Sequence, residues 1–437
     1  MDDLHACSAL MPKPKVLILF DYDWDSLGFS AHEDRVDFES LGFDLFSFPN
    51  NARLLNFSIR NFIAGLKNRY SGEFAEGSLS GVVSNNEQFG ALAAALLAES
   101  LGLPGTPPAA IIRLQHKYFC RHLIQQVAPE ANLKQVLLPS EQSKLPDTAL
   151  EFPLFTKPIK AAFSVLAREV ADLPALQKHL TFGWFEEIII RRLIKPFDDV
   201  AFDYLPARVG AWNMVAEEVY RAPQFNLDGY VVDGEVRLLG VVDEIMYPGT
   251  HAFMRFAYPS RLPTSVQARA LEVARKVLAV AGFTRGMFNM EFFYCEQRDE
   301  LKIIEFNPRL ASQLADIYLK VDGVDVYGIN LALALGENPD RVPKREPLGS
   351  HAASFVFRCF DESVPPPPRT SGRAWLASAE PEAILMSFLK SKPGLKRELK
   401  WLGSHRFGTL NMHGRDENDL RERYFSACNA LGWPSPY

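Results

Sequence analysis

Residues Met287 to Arg309 read MFNMEFFYCEQRDELKIIEFNPR. Two segments, 288–294 and 301–307, are rich in aromatic and β-branched residues, and Glu296-Gln297-Arg298-Asp299-Glu300 between them is too polar to bury. The pattern predicts two short strands joined as a hairpin. Antiparallel pairing brings Glu291 toward Glu305 and Asn307, and the period-two alternation puts Glu305 and Asn307 on one face. Three oxygen ligands then share that face. Such a set suits Mg²⁺, which is usually held by one or two carboxylates plus substrate phosphates, so a nucleotide is expected beside it. Arg309, just past the strand, supplies a fixed cation able to grip a carboxylate or phosphoryl oxygen in bidentate fashion.

The rest of the chain sets bounds. Its 437 residues allow about three domains. Hydrophobic residues at 47% and charged residues at 23% are the proportions of an ordinary globular protein. A net charge of -6 argues against a nucleic-acid partner and for small substrates. The 5 cysteines are scattered, with no C-x-x-C pair, so neither a disulfide framework nor a zinc site is readable. No signal peptide and no apolar run of membrane-spanning length is visible. These features point to a cytoplasmic enzyme with no membrane partner.

Upstream, Lys15 to Phe20 reads as a buried strand, and Asp21-Tyr22-Asp23-Trp24-Asp25 as a solvated acidic loop after it. Gly81 to Ser84 reads as another strand, followed by an Ala-rich helix from Glu87 to Leu101 with Asn85 as its N-cap, closed by Gly102. Strand and helix alternate, so residues 15–108 form a small parallel α/β unit. A helix from Ile111 to Val127 carries Lys117, and a strand from Glu151 ends in Lys157-Pro158. A lysine at the end of a buried strand is held in place to meet phosphate. EEIIIRRLI, 186–194, reads as an apolar strand, with a further strand at 200–205. NLDGYVVDGEVRLLGVVDEIM, 226–246, is a hairpin turning at Asp233-Gly234. Thr264 to Ala281 is the plainest helix, with Thr264-x-x-Gln267 as a capping box and Gly282 closing it.

In Glu291, E-x-N-P-R at 305–309, the Lys157-Pro158 strand end and the order in which they follow one another, residues 81–340 resemble the ATP-grasp superfamily, and within it the carboxylate-amine ligases. The resemblance implies an α/β ATP-grasp fold. It would comprise an N-terminal Rossmann-like pre-ATP-grasp domain (1–108), an ATP-grasp domain (109–345, its lid at about 130–195) and a small C-terminal α/β cap (346–437). It implies that Glu291, Glu305 and Asn307 hold Mg²⁺, or Mn²⁺, on ATP and that Arg309 orients an acyl phosphate. Lys117 and Lys157 match its nucleotide lysines, and Ser164 its phosphate-covering loop. Leu193 and Ile194 match an adenine hinge, with Asp199 or Asp198 on the ribose, and Arg255 would border the acceptor substrate.

Two departures stand out: the loop after Lys157 reads Lys160-Ala161-Ala162-Phe163-Ser164 without glycine, and Arg191 occupies a position aligned with an acidic residue. The implied activity joins a carboxylate to an amine, one of them an amino acid, through an acyl phosphate, and the resemblance also implies a homodimer. Two alternatives stay open. One is a bicarbonate-using carboxylase of the same superfamily, although Leu310 to Asp316 lacks the Gln-Val-Glu-His run expected of biotin carboxylase. The other is a non-catalytic ATP-binding regulatory module.

Overall fold

The computed structural model describes residues 13–43, 57–139, 151–160, 166–181 and 184–437, and among these the strands form three sheets. The first is parallel. β1 (Lys15–Leu19) lies between β2 (Asp37–Leu41) and β3 (Leu79–Val83), as the run of apolar residues in β1 requires of a strand covered on both faces. Helix Gly90–Leu101 packs behind it and ends on Gly102 in the left-handed region at φ 68°. Its start lies later than expected, with Phe89 as the N-cap and Asn86 Oδ1 accepting from the amides of Phe89 and Gly90.

The acidic run after β1 does not form a solvated loop. Helix Asp23–Ser30 begins there, and Asp25 is 0% exposed, accepting from Asn85 at 2.8 Å, Ser312 at 2.7 Å and Tyr327 at 3.1 Å. Burial raises its pKa, and these donors oppose the rise. Asp25 therefore pins the parallel sheet to the segment that follows Arg309.

The second sheet is small, in the order β4 (Gln135–Leu138), β7 (Met214–Glu218), β5 (Leu154–Pro158), β6 (Arg168–Val170). Between β6 and β7 the structure departs from the sequence reading. EEIIIRRLI lies within a helix, Trp184–Ala201, and 200–205 is that helix's end and a turn. Three consecutive apolar residues fit either a buried strand or a helix. The wider spacing of Ile190, Ile194, Phe197 and Ala201, at steps of three and four, decides for the helix, because it places them together in the core.

The third sheet runs β12 (Glu300–Asn307), β11 (Gly286–Cys295), β8 (Gln224–Val232), β9 (Glu235–Met246), β10 (Phe253–Tyr258), β13 (His351–Cys359), β15 (His405–Gly414), β14 (Ile384–Ser387). The C-terminal residues thus form an α/β unit whose strands extend the central sheet. Asp233 and Gly234 turn β8 into β9 with φ of 51° and 82°, the paired positive values of a tight hairpin. Alternation gives the sheet two unlike faces. Phe288, Met290, Phe292 and Ile303 pack into the core that holds helix Thr264–Ala281. That helix starts on Pro263 with no side-chain cap, and Gln267 Nε2 donates instead to Leu262 O at 2.8 Å. The opposite face carries Asn289, Glu291, Asn226 and Asp228.

The expected helix from Ile111 to Val127 is two. It breaks at His116, which leaves the helical region at ψ 91° and whose Nδ1 accepts from Phe119 N at 3.4 Å. The second, Lys117–Val127, carries Arg121, whose guanidinium donates to Glu217 at 2.8 Å, Ile303 O at 2.6 Å and Ile304 O at 2.8 Å. One side chain thus ties the small sheet to the central one. Arg121→Ala leaves Glu217 with one cation fewer, takes the guanidinium donor from the Ile303 carbonyl and leaves the Ile304 carbonyl to Lys157. The expected loss is about 3–5 kcal/mol of unfolding free energy, read by chemical denaturation.

Candidate active site

β11 and β12 set Glu291 directly opposite Glu305 and Asn289 opposite Asn307. Like charges directly opposite on neighbouring strands repel, so the arrangement needs compensation. Lys117, the first residue of its helix, supplies part of it at 3.0 Å from Glu305. Asn307 Nδ2 donates to Glu291 at 3.2 Å and to Asn289 Oδ1 at 2.9 Å, while its own Oδ1 is buried without a partner. Gln224 Nε2 donates to the other oxygen of Glu291 at 3.1 Å.

The strands bulge between Glu291 and Phe292, leaving Ile304 outside the regular pairing. Its carbonyl accepts from Lys157 at 3.3 Å as well as from Arg121. Lys157 itself pairs with Glu217 at 2.9 Å across the small sheet. Beyond β12, Arg309 binds Glu87 at 2.7 Å, and Lys160 Nζ donates to the Glu87 carbonyl at 2.6 Å. Three of the expected cations, Lys117, Lys157 and Arg309, therefore converge with Glu291, Glu305 and Asn307.

The charges respond to one another. Burial, then the neighbouring charges of Glu305 and Glu87, push Glu291 up to about 8. Burial also opposes ionisation of Glu305, but Lys117 and Lys157 outweigh it and hold that carboxyl below the usual range. Burial lowers Lys160 to about 7. The donor set fits a hard divalent cation: two facing carboxylates, one raised by burial and by the charge opposite it, and an unmatched amide oxygen. Among the described residues no group of three His, Cys, Asp or Glu is arranged to hold a metal, so oxygens from a bound substrate would have to complete the shell.

Other expected residues stand elsewhere. Leu193 and Ile194 belong to helix Trp184–Ala201 and do not form an extended hinge. The Leu193 carbonyl accepts from Gln88 Nε2 at 2.7 Å, and Ile194 is buried in the core. Asp199 pairs with Lys195 one turn away. Arg191 pairs likewise with Glu187, so its mismatch with an acidic position came from aligning a helix onto a strand. Arg255 is a second correction. It pairs in register with Phe355, on the sheet face opposite Glu291, and its guanidinium lies 3.9 Å from the ring centre of Tyr437. Ser164 lies outside the described residues.

The sequence reading missed Glu87, Glu217, Lys160 and Glu244. Glu217 is 2% exposed and holds both Arg121 and Lys157. Glu244 is buried near Glu291, with Oε2 unpartnered, and burial followed by the Glu291 charge raises its pKa. The available signal was position: Glu87 follows a buried parallel strand at its carboxyl end, where open α/β sheets place ligands.

A carboxyl raised by folding contributes stability that is full below its ordinary value of 4.5 and is lost as pH rises to about 8. The metal-free protein should therefore melt at lower temperature as pH climbs through that range. Mg²⁺ should stabilise it more at the alkaline end, because metal competes with the Glu291 proton. Glu291→Gln should remove most of both effects in a melting series with and without Mg²⁺. An unchanged pH slope in the variant would assign the titration to another group.

Compared by sequence, the chain matches no family model and no curated protein. Compared by structure, it resembles the L-amino acid ligase from Bacillus licheniformis, at TM-score 0.68 and 14% identity over 96% of this chain and 98% of that one. It also resembles carboxyaminoimidazole ribonucleotide synthase from Aspergillus clavatus complexed with ATP, at TM-score 0.64 and 14% identity over 96% and 99%. Biotin carboxylase from Campylobacter jejuni matches at TM-score 0.59 and 15% identity over 95% and 91%. No helix among the described residues is long and apolar enough to cross a membrane. At near-complete coverage of both partners, the likeness shows that this chain has the ATP-grasp fold.

Proposed function

We propose that this protein is an ATP-dependent carboxylate-amine ligase, joining a small acid to a small amine, one of them an amino acid. The observation that carries the reading is the convergence on one sheet face of two opposed carboxylates, an unmatched amide oxygen and three cations. Acidic groups alone would repel a nucleotide, and cations alone would hold it without drawing charge from the transferring phosphoryl group. The fold shared with an ATP-complexed structure supports the same substrate.

Glu291, Glu305 and Asn307 would hold Mg²⁺ on the nucleotide, and the metal when bound supplies charge neutralisation. Lys117 and Lys157 would meet phosphate oxygens, each already fixed by a carboxylate partner. The chain passes from β7 of the small sheet to β8 of the central sheet through 219–223, beside Glu217 and Lys157, and this crossing segment replaces Leu193 and Ile194 as the place for the adenine edge. An oxygen of the substrate carboxylate attacks the γ-phosphorus, the bond to ADP breaks, and an acyl phosphate forms. The amine nitrogen then attacks the acyl carbon, phosphate departs, and the nitrogen loses a proton. Arg309, poised by Glu87, would grip the acyl phosphate in bidentate fashion. The work is positioning and charge neutralisation, with no covalent enzyme intermediate.

A bicarbonate-using reaction would employ the same hairpin. The segment after Arg309 favours the ligase, because Gln313 is held by Ser354 at 2.8 Å and Arg406 at 3.1 Å, with no glutamate and histidine following it. Paired pools of acids and amines with Mg-ATP should release ADP only when both are present, and Glu305→Gln should cut the rate about 100-fold or more. ADP release driven by bicarbonate alone would overturn the ligase assignment in favour of carboxylation.

A further inference from the structure

Several deeply placed arginines among the described residues hold a carboxylate. Arg121 has Glu217, Arg309 has Glu87, and Arg423 has Glu380. Arg358 and Arg406 do not. They stand opposite one another on β13 and β15, and among the described residues neither has an acidic partner. Arg358 Nε donates to Phe253 O at 3.1 Å and Nη1 to Ser404 Oγ at 3.0 Å. Arg406 Nη1 donates to Gln313 Oε1 at 3.1 Å, and its guanidinium lies 4.5 Å from the ring centre of Phe388.

Two guanidiniums withdrawn from water side by side carry both a desolvation penalty and mutual repulsion. Burial, then the Arg406 charge, lowers Arg358 to about 10, and burial lowers Arg406. Each guanidinium has five N–H donors, so most remain unspent on protein acceptors. Both residues keep partial exposure, so a small solute can reach them. Nearby His405 adds no third positive charge, since burial lowers it to about 4.

Their position links them to the candidate active site. Gln313, four residues past Arg309, bridges Arg406 and Ser354, and Asn411 Nδ2 donates to its carbonyl at 2.9 Å. Ser354 is buried and pairs across β10 and β9 with the polar face that holds Glu244 and Glu291. Tyr22 lies within electrostatic reach of both Arg309 and Arg406. The arginine pair therefore stands on the same side of the sheet as the metal-ligand hairpin, along one wall running from Arg309 through Gln313.

We infer that Arg406 and Arg358 form a subsite for a second anionic group on the acid or amine substrate, a carboxylate or phosphate that does not itself react. This deepens the ligase reading and rests on it: the substrate would carry its reacting group toward Arg309 and a remote oxyanion between the two guanidiniums. Planar guanidinium forks suit either anion, and binding one would relieve the unmatched pair.

The test titrates glutarate and inorganic phosphate separately into the full chain, by calorimetry, with saturating Mg²⁺ and a non-hydrolysable ATP analogue engaging the other cations. At least one anion should bind the wild type, and the stronger of the two names the chemistry. Arg406→Gln and Arg358→Gln should each weaken it about tenfold or more, and Arg406→Lys less. Melting without anion should be unchanged or higher in Arg406→Gln, because a repelling charge has gone. Binding of neither anion by the wild type, equal binding by Arg406→Gln, or a melting temperature lowered equally with and without anion overturns the subsite. Absent ADP release with intact Arg406-dependent anion binding would instead count against the ligase reading alone.

Discussion

The opposition of Glu291 and Glu305 on adjacent strands is the constraint around which the cleft is arranged. Two carboxylates that face one another in a partly closed crevice cannot both ionise without nearby positive charge. The chain brings that charge from three separate places: Lys117 from a helix start, Lys157 from the small sheet, and Arg309 from the strand's own exit. Even so Glu291 stays raised, so the protein cations alone do not settle the pair. The remaining imbalance is what a divalent cation would relieve.

The cations are themselves held by carboxylates outside the pair. Glu217 takes Lys157 and Arg121, and Glu87 takes Arg309. Glu217 comes from the small sheet and Glu87 from the turn that follows β3 of the parallel sheet. The small sheet, the parallel sheet and the central hairpin are therefore coupled through ion pairs at one point. A shift of the small sheet would change the charge felt at Glu305 through Lys157.

The two faces of the central sheet divide labour by alternation. One packs Phe288, Met290 and Phe292 into the core, and the other carries the polar groups from Glu305 across to Arg406. This explains why Arg255, one residue from Phe256 on the same strand, falls outside the cleft despite its proximity in sequence to the expected substrate segment. A shift of one residue along a strand reverses the face.

The sequence by itself determined the hairpin 287–309, its opposed carboxylates, the turn at Asp233-Gly234 and the parallel sheet that opens the chain. These are legible because strand alternation, turn residues and buried apolar runs are local properties. It misplaced EEIIIRRLI, because three adjacent apolar residues carry no period and the helix is chosen by Phe197 and Ala201 meeting the core. Only the tertiary structure decided that Glu217, Glu87 and Lys160 join the site, that Asp25 is buried, and that Arg358 faces Arg406. Each of those facts depends on which distant segments meet, and a side chain's partner and charge state follow from that meeting and not from its neighbours in the chain.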